Sequence, residues 1–182
     1  GMSMMRYLRI WGVVVVLVAG VSLGLRAQGG GSQSAEIQLQ LADILFGEGR
    51  FADAFQAYRT ATQVASSDLQ RRARSGYIVS ALRTAEFDVA RDEAEKLLQA
   101  SPRDAEAVAL YGDALWSSGL FEQAEAKYRE AMTLVPALSR GHHGLARALA
   151  ARSRMDDAMN EAQAALRLNP RDVEFHHTTG TL

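Results

Sequence analysis

Three prolines occur in this chain, Pro102, Pro136 and Pro170, and both gaps between them are 34 residues. Two of them open the same phrase, Pro102-Arg103-Asp104-x-Glu106 and Pro170-Arg171-Asp172-x-Glu174. Four alanines, Ala54, Ala90, Ala124 and Ala158, keep nearly the same interval, at 36, 34 and 34 residues. Three residues before each stands a bulky apolar side chain: Phe51, Phe87, Phe121 and Met155. Five before stands a small residue, Gly49, Ala85, Gly119 or Ser153, and seven after come Ala61, Leu97, Ala131 and Ala165. A repeat of this kind is one supersecondary unit that buries its apolar face only by stacking on its neighbours.

Within each period lie two apolar stretches of helical spacing, separated by the small residue. Gly49 and Gly119 suit the left-handed position that closes a helix. Asp104 and Asp172 can cap the next helix, with Glu106 and Glu174 in its first turn. The alanines let two helices approach closely, the bulky residue before each fills the space beside the turn, and the proline ends the second helix. The spacing predicts helix pairs at 36–48 with 51–65, 71–84 with 87–100, 104–117 with 121–134, and 138–152 with 155–168. Few prolines and 7% aromatic residues also suit helices better than sheets. The expected fold class is all-α: an α-solenoid of antiparallel helix pairs, filling residues 35–182. Its units fall at 35–70, 71–104, 105–138 and 139–172, with a partial fifth at 173–182.

The N-terminus follows another logic. Arg6 and Arg9 precede a 16-residue uncharged stretch from Ile10 to Leu25, followed by Arg26-Ala27. This resembles a bacterial secretory signal peptide over residues 1–27, with the cut after Ala27. The alternative is an uncleaved membrane anchor, although the stretch is shorter than the ~20 residues of a comfortable span. In both cases two arginines before the stretch and one after it place the remainder outside the cytoplasm, periplasmic or secreted. Residues 28–34, QGGGSQS, read as a flexible linker.

The repeats resemble the tetratricopeptide repeat family. The third unit fits best, with Tyr111-Gly112, Leu115, Ala124, Tyr128, Ala131 and Pro136. The first has Leu41-Ala42, Leu45, Ala54, Tyr58 and Ala61, with Ser66 in place of proline, and the fourth has Leu145-Ala146, Leu149, Ala158, Ala162, Ala165 and Pro170. The second departs most, with Ile78, Ala94 and Leu97 at the corresponding positions. The resemblance implies a concave face lined by the first helix of each unit, and a protein or peptide partner seated there. On alignment the partner-facing positions include Asp43 and Phe46, then Arg72 and Leu82, then Glu106, Asp113 and Trp116, then Arg140, His143 and Arg147. Leu39 and Ala109 belong to the same inward rows.

Two patterns run along that face. Charge alternates through Glu36, Arg72, Glu106 and Arg140, and Phe46, Leu82 and Trp116 form an apolar track. An apolar track with a charged rim suits an extended peptide or a partner helix, and Trp116 is the best anchor. The other fate of Trp116 and Phe46 is packing between units. A family mode that clamps a C-terminal carboxylate lacks its residues here, where Leu39, Asp43, Gly76, Glu106 and Leu110 stand.

Other function classes have less support. Residues 35–182 hold 17 basic and 21 acidic residues, net −4, which gives no electrostatic case for nucleic acid. The absence of cysteine excludes disulfides, thiolate metal sites and cysteine nucleophiles. His142-His143 and His176-His177 recur 34 apart, but two ligands without a third make a poor metal site, and they read as surface or interface histidines. Motifs for acyl transfer, phosphate binding or zinc hydrolysis are missing, so no enzyme activity, cofactor or metal is expected of this chain. Two alternatives to a peptide-binding scaffold are an N-terminal accessory module of a larger exported enzyme, such as a protease, and self-association through the uncapped end at 172–182, giving a homodimer.

Overall fold

A computed structural model of the chain describes residue 31 and residues 33–170. Among these residues there are eight helices and no strand. They are α1 (33–47), α2 (Phe51–Val64), α3 (Ser67–Arg83), α4 (Phe87–Ala100), α5 (Ala105–Ser117), α6 (Phe121–Leu134), α7 (Ser139–Ala151) and α8 (Met155–Leu168). The order gives four antiparallel hairpins stacked in sequence, an all-α solenoid. The segment read as signal or anchor lies outside the described residues, as do Asp172 and the fifth unit. No described helix is long and apolar enough to cross a membrane.

Every hairpin closes in the same way. In the first, Arg50 N–H donates to Leu45 C=O at 2.9 Å and Gly49 N–H to Phe46 C=O at 3.0 Å. The same nested pair recurs at Glu86 and Ala85, at Leu120 and Gly119, and at Arg154 and Ser153. This is a Schellman cap, and it needs a left-handed residue inside it. Gly49 and Gly119 take φ of 76°, and Ala85 and Ser153 take φ of 61° without glycine's freedom. The small residue of each period is thus a backbone requirement.

Packing follows the alanines. Ala54, Ala90, Ala124 and Ala158 are all fully buried. The bulky residue three before each behaves otherwise than expected. Phe87, Phe121 and Met155 are exposed, each at the first position of the second helix of its hairpin. Phe51 stacks edge-on against Phe46, with ring centroids 5.0 Å apart.

Two boundaries move. α3 starts at Ser67 rather than 71, because the two extra residues before the second unit extend the helix and leave a link of only Ala65 and Ser66. Gln70 fastens that link by donating from Nε2 to Thr62 C=O at 3.0 Å. Gln33 and Ser34, read as linker, are helical, since they form the turn ahead of the fully buried Ala35. The apolar interior falls into two clusters that meet in α5. One runs from Leu39 to Ala114 and the other from Ala105 to Ala158.

Candidate functional site

The first helices α1, α3, α5 and α7 share one face of the stack, and a groove of about 920 Å³ runs along it. Phe46, Leu82, Asp113, Trp116, Arg140, His143 and Arg147 line this groove. Arg72 and Glu106 line an adjoining cleft of about 430 Å³, which shares Phe46, Val79 and Arg140 with the groove. Asp43 lines neither and sits beside them, bonded to Tyr58 and Arg72. The apolar track of Phe46, Leu82 and Trp116 therefore faces one open space. Leu39 and Ala109, expected to face inward to solvent, are fully buried and belong to the core.

The charges along the face are partnered across units. Arg72 on α3 reaches back to Glu36 at 3.2 Å and to Asp43 on α1. Arg140 on α7 reaches back in the same way, to Glu106 at 3.0 Å and Asp113 at 2.8 Å on α5. The repeat makes this possible, because positions 34 or 36 apart stand side by side on neighbouring first helices. The alternating row of charges is thus largely self-neutralised. A tyrosine completes each set: Tyr58 donates to Asp43 at 2.6 Å and Tyr128 to Asp113 at 2.7 Å.

Asp113 is the deeper of the two acids, 5% exposed, and also takes Arg147 at 2.8 Å. Burial alone would raise its carboxyl, but Arg147 and Arg140, with the Tyr128 hydroxyl, hold it below the ordinary value. Tyr128 is pushed well above the usual phenol value by burial first and then by Asp113. His143 is 6% exposed, and burial, reinforced by Arg147 and Arg140, pushes its imidazole down to about 3. It is a neutral side chain at the groove floor, not a surface histidine. His142 lies with Nδ1 2.5 Å from Glu161 and Nε2 2.9 Å from Pro136 C=O, tying α7 to α8. His176 and His177 lie outside the described residues.

Trp116 combines both fates open to it. Its ring packs on the second core cluster and against Phe121 at 6.1 Å, yet it also lines the groove. The Arg147 guanidinium stacks over it at 4.6 Å, and its buried indole N–H finds no acceptor among the described residues. Among the groove residues that escaped sequence reasoning are three aromatic ones, Phe51, Phe87 and Phe121. Their signal was present in the repeat, but they were read as gap fillers beside the turns. Arg83 stacks on Phe51 at 4.4 Å, so the groove holds a second guanidinium–aromatic pair.

Stacked helical hairpins with a groove along their first helices define a helical-repeat scaffold. Two models of the tetratricopeptide repeat match residues 35–68 and 78–138. The chain belongs to the tetratricopeptide repeat family. Repeats of this family bind protein or peptide partners. Solved structures share the fold. TTC0263, a thermophilic repeat protein of Thermus thermophilus, matches at 18% identity and a TM-score of 0.72, over 81% of this chain and 80% of that one. PilF of Pseudomonas aeruginosa matches at 22% identity and 0.63, over 84% and 68%. YrrB, described as a repeat protein with an unusual peptide-binding site, matches at 13% and 0.57, over 90% and 87%. Identities this low speak for the fold alone. No curated protein sequence matches the chain.

Proposed function

We propose that this chain is an exported interaction scaffold that seats a peptide or a partner helix in the groove along its first helices. The observation that carries the reading is the groove lining, where Phe46, Leu82 and Trp116 from three successive units join Phe51, Phe87 and Phe121 from the turns. Aromatic side chains supply large contact area at low entropy cost, and arginines stacked on them are typical anchors of a binding surface. The peptide-binding site described for YrrB gives the reading a precedent in the same fold. A scaffold of this kind works by rigid presentation and does no chemistry of its own.

Export rests on the uncharged stretch from Ile10 to Leu25 behind Arg6 and Arg9. An intact mass from fractionated cells tests it. A mature protein starting near Gln28 in an exported fraction supports a cleaved signal, and a full-length protein in the membrane fraction supports an anchor. Residence in the cytoplasm removes the export reading.

The groove is tested with a photo-crosslinking amino acid at Phe46 or Leu82, and at Thr133, an exposed residue of α6, as the control. Crosslinks to a defined partner from positions 46 and 82, and none from 133, are expected. Equal labelling from all three positions would overturn the groove as the binding face.

A further inference from the structure

The repeat gives one face of every first helix a fixed use. Ala73, Tyr77 and Ser80 on α3 are buried, and so are Ala107 and Ala114 on α5 and Gly141, Leu145 and Ala148 on α7. These positions rest on the second helix of the preceding hairpin. Phe55 of α2 stacks on Tyr77 with ring centroids 4.9 Å apart, and Met132 of α6 lies against Gly141. The same positions of α1 are Ile37, Leu41 and Ile44. They are 57%, 45% and 59% exposed, and no other described helix carries three exposed large apolar side chains. The later units place only Ala, Gly or Ser at the first and third of these positions, where α1 places isoleucine. Isoleucines hold an incoming helix further off than a hairpin of this stack would sit, at the spacing of an ordinary helix pair.

Ser34, Ile37, Leu41, Ile44 and Glu48 follow the alternating three and four spacing of a seam between two helices. The seam is uncharged up to its last member. Gln38, Gln40 and Gly47 flank it, while Glu36 and Asp43 turn to Arg72 on the groove side. At about 100° per residue, Ile37 and the groove residue Phe46 stand on opposite sides of α1. The row also reads alike in both directions, with an isoleucine on either side of Leu41. Such self-complementarity is what an isologous pair needs. With two α1 helices antiparallel about an axis at Leu41, Ile37 of one protomer meets Ile44 of its partner. Glu48, exposed and in loose contact with Arg50 at 3.7 Å, then comes beside the first turn of the partner's α1, where free N–H groups favour an anion. A parallel pair would set Glu48 against Glu48 instead.

We propose that a second copy of the chain covers this row, two α1 helices packing antiparallel across a two-fold axis at Leu41. The pairing goes beyond the groove reading and does not depend on it. It leaves the groove of each protomer open, and so makes the scaffold bivalent towards a partner that carries two binding segments.

The chain has no cysteine, so a single introduced thiol reports its own surroundings. The test places Leu41→Cys in the full chain, expressed in cells, and adds an oxidant before a non-reducing gel. A species of twice the mass of the chain is expected, and none from Thr133→Cys, on the exposed side of α6. Ile37→Cys and Ile44→Cys, expressed together, should link to each other more than either links to itself, as an antiparallel pair requires. Adding Ile44→Glu to Leu41→Cys sets a charge into the apolar seam and should cut the linked fraction about tenfold. Ile44 is exposed in the single chain, so the melting temperature of that variant should hardly change. A linked species of any other mass puts a different protein on this face and overturns the inference. So does a link that Ile44→Glu leaves unchanged, which would mean copies meeting elsewhere. With no link at all, a thiol at position 41 that reacts with a maleimide shows the face open, and one that does not shows it covered by the chain itself; both overturn the second copy.

Discussion

At the scale of single residues, the backbone of the four turns makes the first prediction. Ala85 and Ser153 hold a left-handed conformation that costs an L-residue about 1–2 kcal/mol, more than glycine's extra chain entropy of roughly 0.5–1 kcal/mol. Ala85→Gly and Ser153→Gly should therefore each stabilise the protein by about 0.5–1 kcal/mol, read as a higher urea midpoint. Gly119→Ala should shift the midpoint the other way. A second prediction concerns His143. Its imidazole sits near 3 in the fold and near 6.5 in the unfolded chain, so the unfolded chain binds more protons in between. The stability that this gives is complete above pH 6.5 and is lost as pH falls towards 3. Melting temperature measured from about pH 7 to about pH 4.5 should fall in the wild type and fall less in His143→Gln. Parallel curves would show that His143 does not set the slope. The repeat register puts His143 in the inward row of Leu39 and Ala109, which distinguishes it from His142, but the row was expected to face the groove rather than the core.

At the scale of elements, the small residue of each period and the buried alanines were legible, and seven of the eight helices begin within three residues of the places that they mark. The exception, α3, shows why: an insertion of two residues can enter a loop or a helix, and period alone does not choose. The sets of tyrosine, aspartate and arginine were not read, although Asp43 and Tyr58, like Asp113 and Tyr128, are 15 residues apart. That spacing crosses a hairpin turn and belongs to no single helix period. The two sets differ in burial, which gives a third prediction. The Asp113 side chain is 7% exposed and the Asp43 side chain 45%. Asp113→Asn leaves two arginines without their buried counter-charge and should cost about 3–5 kcal/mol. Asp43→Asn breaks an exposed pair and should cost about 1 kcal/mol or less. Denaturant unfolding of the two variants, side by side, checks the ratio, and equal losses would count against burial as the cause.

At the scale of the whole molecule, the polar sets group the four hairpins into two couples. Tyr58 and Tyr128, and Asp43 and Asp113, are 70 residues apart, so a double-length period overlies the single one. Stability in a stacked-repeat protein is roughly a sum of units and nearest-neighbour interfaces. Loosening one couple should therefore leave the other protected. In native-state hydrogen exchange, Tyr58→Phe should speed exchange in α1–α3 and Tyr128→Phe in α5–α7, each with little effect on the other region. Acceleration across all eight helices in both variants would show one cooperative block instead.

The middle junction then has a mechanical meaning. Two stiff arms meet at a joint held by apolar contacts and by an exposed pair, Arg71 with Asp104. Flexing there alters the distance between the first and last hairpins more than flexing at either end would, so the molecule resembles a pair of calipers whose jaws are the outer units.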